Sequence, residues 1–219
     1  MQEKIFKLKE KTLAIIDWAN VYGWAGKLKW GVDPKKLYDY LKIYPEIYDI
    51  RFYFGAEKGN KKSEEFQEEI KRIGYTLISK EVKWIPSPLR IAHFKSDRGE
   101  IKSVAEALGE ASTTFKKFQY DLQKPFGGQF YRRKCDFDVE ITKDVLLNIN
   151  KFSGLILFSG DGDYKAIIEY LLDNKKQAIV VHPFGLRGRE YNELLLRTKD
   201  RPYFCAVEKL TPFLKNLPE

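Results

Sequence analysis

Three apolar runs constrain this chain most: TLAIID (12–17), GLILFS (154–159) and QAIVVHPF (177–184). None alternates apolar with polar, as a strand with one face in water would. Such runs belong to strands covered on both faces, the position of parallel strands whose crossover helices lie above and below the sheet. A further β-rich run, IYDIRFYF (47–54), and YTLISK (75–80) fit the same sheet. Stretches of helical character separate these runs, so the chain reads as an α/β fold with a mostly parallel central sheet. In such sheets ligands gather beyond the carboxyl ends of the strands, and the search for chemistry starts there.

The connecting elements carry their own signals. Asp33-Pro34 predicts a helix start, with Asp as the cap and Pro in the first turn. Ser63 is a candidate cap for a second helix, which should end near Gly74. WANVYGWAGK (18–27) reads as a loop, and DVEITKDVLLNIN (138–150) as a helix with Val139, Ile141, Val145, Leu146 and Ile149 on its inner face. GDGDYKAIIEYLLDN turns into a helix with Asp163 as its cap, RGREYNELLLRTK is a short basic helix, and PYFCAVEKL (202–210) adds a last strand. The alternation breaks over about 83–134. There IPSPLRIAHFKSDRG resists assignment, EIKSVAEALGEASTTFKKFQYDLQ is predicted helical, and PFGGQFYRRK is turn-rich. We read residues 1–219 as a single domain elaborated by this insertion.

Composition narrows the function classes. No apolar run approaches the ~20 residues of a membrane span, and MQEKIFKLKEK is too charged for a signal peptide, so a cytoplasmic protein with no membrane role is expected. Two cysteines, Cys135 and Cys205, and two histidines, His93 and His182, leave oxygen as the main metal donor, which favours Mg²⁺ or Mn²⁺ over Zn²⁺. The net charge is +8. Between Lys83 and Lys134 there are 11 Lys/Arg against 5 Asp/Glu, so +6 of that excess lies in the insertion, interleaved with eight aromatic residues. Basic side chains meet phosphates and aromatic faces stack on unpaired bases; the competing reading is that the aromatics form core and the lysines are merely solvated.

Acidic residues mark the carboxyl edge. Asp17 ends the first strand, and Asp161 and Asp163 follow the strand 154–159. Asp138 opens the preceding helix, which starts at the carboxyl side if the crossover is right-handed. Each has an ordinary alternative as a helix cap or turn former. Together they repel unless a cation compensates, and a set of oxygen donors suits Mg²⁺. Asp144 lies six residues after Asp138, about 240° around a regular helix, so it reaches the site only if Asp138 precedes the first turn; otherwise it is solvated or pairs with a basic neighbour. Asn20 is placed to hydrogen-bond Asp17, and Lys134 to meet a phosphate.

Three segments carry a family resemblance. IIDWANVY (15–22), KCDFDVEITKD (134–144) and LFSGDGDY (157–164) resemble, in order and spacing, the three motifs of NYN domains, which belong to the PIN-like nucleases. The likeness covers most of 12–84 and 134–207. It implies a three-layer α/β/α sandwich, a divalent-metal site and ribonuclease activity without a covalent intermediate. Asp17, Asp138, Asp161 and Asp163 would be the catalytic and metal-binding acids, with Asn20 and Asp144 supporting them. The segment 85–133 exceeds the family core, and its role does not transfer.

The leading expectation is thus a Mg²⁺- or Mn²⁺-dependent nuclease acting on RNA, with Arg132, Arg133, Lys134, Arg187 and Arg189 guiding the strand. A non-catalytic nucleic-acid-binding or scaffold protein on the same fold is the alternative. A haloacid-dehalogenase-like phosphohydrolase would need a second aspartate where Ala19 stands. Oligomeric state is left open by the sequence, a homodimer included.

Overall fold

The computed structural model describes residues 4–86, 93–95, 101–103, 117 and 131–215. They divide into two compact units, one made of residues 1–81 and 136–219, the other of Val82–Cys135. The larger unit begins with β1 (Thr12–Asp17), α1 (Trp18–Gly23), α2 (Ala25–Leu28), α3 (Pro34–Lys42), β2 (Ile47–Ala56), α4 (Lys61–Ile73) and β3 (Thr76–Glu81). The smaller unit holds β4 (Lys83–Pro86), β5 (His93–Lys95), β6 (Ile101–Ser103) and β7 (Tyr131–Lys134). The larger unit resumes with α5 (Asp138–Leu147), β8 (Gly154–Phe158), α6 (Lys165–Asp173), β9 (Gln177–His182), α7 (Asn192–Leu195), β10 (Tyr203–Ala206) and α8 (Thr211–Leu214).

Six strands of the larger unit form one sheet in the order β10-β9-β8-β1-β2-β3, every pair parallel. The chain moves outward from β1 through β2 to β3, returns to the other flank of β1 for β8, and moves outward again. Its direction of travel therefore reverses between β1 and β8. At such a switch point the crossovers leave on opposite faces and a crevice opens at the carboxyl ends of the two strands. Alternate residues of the central strands pack on each side. Ala14, Ile16, Phe52, Ile156, Phe158 and Val181 join Leu37, Tyr40 and Leu41 of α3 and Ile70 of α4 in one core cluster. Leu13, Ile15, Leu155 and Leu157, also buried, occupy the alternate positions, and Asp17 belongs to their side.

The smaller unit contains two antiparallel pairs, β4 with β7 and β5 with β6. Trp84 lies opposite Arg133 in the first pair and is 55% exposed.

Local geometry follows the sequence where a single residue type decides it. Asp33 caps α3 and accepts from Lys36 N, Pro34 opens the helix, and Gly74 ends α4 at φ 114°. Several element readings need correction. The expected loop 18–27 is helical, because Asp17 accepts from Asn20 N and caps α1. Asn60, not Ser63, caps α4; Ser63 Oγ instead accepts from Glu57 N. Asp161 rather than Asp163 is the capping residue after β8, and it caps a 3₁₀ turn, Gly162–Tyr164, ahead of α6. On α5 Ile141 and Val145 are buried while Val139 and Leu146 are exposed, and the helix ends before Ile149. The segment predicted helical from Glu100 contains strand β6 at Ile101–Ser103; apart from 101–103 and 117, that reading lies outside the described residues. Among the described residues no helix is long and apolar enough to cross a membrane.

Ile156 is fully buried in β8, between β1 and β9. Truncation to Ala should lower unfolding free energy by ~2–5 kcal/mol, measured by urea titration. A loss below about 1 kcal/mol would show that the central strands are not a close-packed core.

Candidate active site

The switch point between β1 and β8 holds Asp17. Its carboxylate is 7% exposed and accepts from Asn20 N at 3.4 Å, Ser159 Oγ at 3.2 Å and Tyr164 OH at 3.3 Å. Burial pushes its carboxyl up to about 6; the negative charge of Asp138 adds to the rise, and the three donors pull against it. Asp138, half-buried at the start of α5, is hydrogen-bonded by the same Tyr164 hydroxyl. Its carboxyl is raised first by burial and also by the charges of Asp161, Asp163 and Asp136. Burial and the two carboxylates drive the Tyr164 phenol far above its usual range, so it remains a neutral donor between them.

The turn after β8 is tied to α1. Asn20 Oδ1 accepts from Gly160 N at 3.0 Å and from Trp24 Nε1 at 2.9 Å. Asp161 N donates to Ser159 Oγ at 3.2 Å, and Asp161 Oδ1 accepts from Asp163 N at 3.0 Å. Asp163 is exposed. Glycine is required where this turn meets the loop after β9: a Cβ on Gly188 would lie 2.5 Å from Gly162 Cα, and Gly188 N donates to Gly160 O at 2.8 Å. Beside the turn lies an open cleft of about 640 Å³, lined among others by Asn20, Trp24, Asp161, Arg187, Arg189 and Glu190.

Arg187 and Arg189 thus share the cleft with Asp161. Arg187 also donates to Asn192 Oδ1 at 2.9 Å and stacks over Phe204. Arg132, Arg133 and Lys134 lie in β7 of the smaller unit, opposite Ile85, Trp84 and Lys83. Asp144 is engaged elsewhere. It accepts a short hydrogen bond from Tyr53 OH and pairs with Arg51 at 3.0 Å, and Arg51 is also held by Asp49 at 2.8 Å. Tyr53 is the register partner of Asp17 on β2, so Asp144 fixes α5, and with it Asp138, against the strand beside the site.

The donor set is suited to a hard cation. Asp17, Asp138, Asp161 and Asp163 offer carboxylate oxygen alone, and among the described residues none of the four is ion-paired. The repulsion between buried Asp17 and half-buried Asp138 is what a divalent ion would relieve. As the side chains stand, no group of three or more Asp, Glu, His or Cys among the described residues is spaced to hold a metal. Ser159, Tyr164 and Glu190 are site members that motif reading passed over. Ser159 and Tyr164 lie within LFSGDGDY itself, and their hydroxyls were the available signal; Glu190 gave none.

Asp17 has a testable energetic consequence. Its folded-state pKa, about 6, lies above the ordinary 3.8, so its favourable contribution is complete below pH 3.8 and is lost as pH rises through 6. At pH 8 without divalent cations the ionised group costs about 3 kcal/mol. Asp17→Asn should therefore stabilise the metal-free protein at pH 8, by up to that amount, and the gain should shrink by pH 5, as followed by urea unfolding. A less stable variant at pH 8 would contradict the assignment of burial as the cause.

Asp144→Asn should cost ~1–3 kcal/mol of stability by removing one of the two charge partners of Arg51 and the acceptor of Tyr53 OH, while Mn²⁺ affinity, read by electron paramagnetic resonance, stays within about twofold. Loss of Mn²⁺ binding in a folded variant would make Asp144 a ligand instead.

Known proteins extend this picture. "Low amplitude and bright protein LabA" of Synechococcus elongatus is 22% identical over 204 residues, covering 91% of this chain and 90% of that protein. The crystal structure of a protein of unknown function from Vibrio parahaemolyticus matches with a TM-score of 0.56 at 18% identity, over 94% of this chain and 96% of that one, a likeness of fold. The family model of the NYN domain matches residues 11–193, and the chain belongs to the NYN domain family.

Proposed function

We propose that this protein is a metal-dependent ribonuclease that hydrolyses phosphodiester bonds in RNA. The observation that carries the reading is the gathering of Asp17, Asp138 and Asp161, with Asp163 beside them, at the switch point of a parallel sheet with no cation among their described partners. The nuclease-related family to which the chain belongs favours the same class of chemistry. Mg²⁺ or Mn²⁺ bound there would polarise a water for attack on phosphorus and stabilise the charge that develops.

The chain's own groups have separable tasks in this proposal. Asp17 is the firmly held acid, because Tyr164 OH, Ser159 Oγ and Asn20 N all donate to it, and Asp138 lies beside the same phenol. Asp161 and the exposed Asp163, on the turn after β8, would complete the carboxylate oxygen donors for such a cation. Asn20 keeps the turn carrying them docked on α1 through Gly160 N. Asp144 supports the site by anchoring α5. Arg187 and Arg189 place the phosphates that lead into the cleft. The β7 run Arg132, Arg133 and Lys134, with exposed Trp84 opposite Arg133, offers charge and a stacking surface for unpaired bases.

A second reading is an RNA-binding protein without turnover, favoured by the absence of a closed metal-ligand group among the described residues. One assay separates the two. Wild-type protein should cleave labelled RNA when Mn²⁺ is supplied, and Asp161→Asn should reduce the rate at least ~100-fold while RNA affinity in EDTA is retained. Binding by both proteins with cleavage by neither would select the second reading. Phosphate release from small phosphoesters would point instead to a phosphohydrolase.

A further inference from the structure

The edge of the sheet opposite the acids has the reverse electrostatic character. On the adjacent strands β1, β8, β9 and β10 the turns that feed the amino ends carry Lys11, Lys151, Lys175 with Lys176, and Arg201. The N-terminal segment is laced along this edge: Gln177 Nε2 donates to Lys7 O at 2.8 Å, Lys9 N to Gln177 Oε1 at 3.0 Å, and Ser153 N to Lys11 O at 2.9 Å. Lys9 Nζ reaches Lys175 O at 3.2 Å, which brings the two segments together. Lys7, Lys9, Lys11, Lys151 and Lys175 are all exposed. Of the acids nearby, Asp200 is held by Lys175 at 2.8 Å and Asp173 by Arg197, and Glu46 adjoins the edge, its carbonyl accepting from Thr12 N at 2.7 Å. Against Glu10 and Glu46 stand Lys7, Lys9, Lys11 and Lys151, none of them ion-paired among the described residues.

Two of these lysines stand in an unfavourable backbone conformation. Lys11 has φ 54° and Lys175 φ 58°, in the left-handed region where Gly or Asn is preferred. The conformation is not peculiar to this edge, since Lys29 shares it at φ 62° and Asp200 at φ 52°; what is particular here is that both lysines stand exposed on one edge beside Lys7, Lys9 and Lys151.

We propose that this amino edge is a second anion-binding surface that takes the phosphodiester backbone of single-stranded RNA several nucleotides away from the bond held at the carboxyl edge. Phosphate contacts of this kind fix the position of a strand without reading its sequence. A membrane is the poorer partner: Phe6 is buried and Ile5 and Leu8 pack against the core, so the segment offers little to insert into lipid. The choice of RNA rests on the function proposed above; the patch itself does not.

The test uses the full chain in EDTA, so that cleavage plays no part. Fluorescence anisotropy would measure affinity for a short RNA of about six nucleotides, which fills the cleft alone, and for one of about thirty, which reaches both edges. The variant is K11N/K151Q/K175N, in which Asn accepts the left-handed turns and the charge is gone. Its thermal midpoint should be held or raised. Affinity for the long RNA should fall at least tenfold, the slope of log affinity against log salt should drop by about 2, from three lost contacts at ~0.7 each, and the short RNA should bind as before. Unchanged long-RNA affinity, an equal loss with the short RNA, or wild-type protein that prefers phosphatidylserine vesicles over long RNA would each overturn the proposal. The nuclease reading fails by a different observation, the lack of Mn²⁺-dependent cleavage by wild-type protein.

Discussion

Asp17 stands at the carboxyl end of the central strand, almost wholly removed from water. A carboxylate there must either take a proton or find a cation, because three neutral donors do not replace its hydration. Its neighbours are arranged around that need. Ser159 and Asn20 N point at it, and Tyr164 spans the distance to Asp138. Because β1 and β8 are parallel neighbours at the point where the chain reverses direction, Asp17 meets Ser159 and Tyr164 across sequence separations of 142 and 147.

The turn after β8 shows how backbone and chemistry are joined. A residue with a Cβ at Gly188 would strike the Gly162 backbone, and one at Gly160 the Leu186 carbonyl. The two loops meet backbone to backbone, which sets the distance between Asp161 on one and Arg187 and Arg189 on the other. The cleft owes the nearness of Asp161 to Arg187, Arg189 and Glu190 to glycines that have no chemistry of their own.

Much of this was legible in the sequence, for physical reasons that also explain the rest. Apolar runs without alternation specify strands buried on both faces, and that led from TLAIID and GLILFS to the parallel sheet and its carboxyl edge. Asp17 and Asp161 follow from position at strand ends. The helix at Trp18–Gly23 was hidden, since ANVYG has no apolar periodicity and its start depends on one cap, Asp17, also read as a metal acid. The exposed Val139 and Leu146 misled in the opposite way: periodicity reports which residues can share a face, not which face docks. Docking of α5 is set by Arg51 and Tyr53, nearly a hundred residues upstream, and no local pattern carries that.

Asp138 and Asp144 make the same point within one helix. They are the same residue type on one short element, and both lie near β2 or its neighbour. Asp144 meets a guanidinium and a phenol, so its charge is spent on holding α5 in place. Asp138 meets a phenol and other carboxylates, with no ion pair among the described residues. The first arrangement is complete without any ligand; the second raises the pKa of Asp138 and so disfavours its ionised form. What separates the two acids is not the side chain or its helix but the company each keeps: Arg51 of β2 stands opposite Asp144, whereas among the described residues no ion pair meets Asp138.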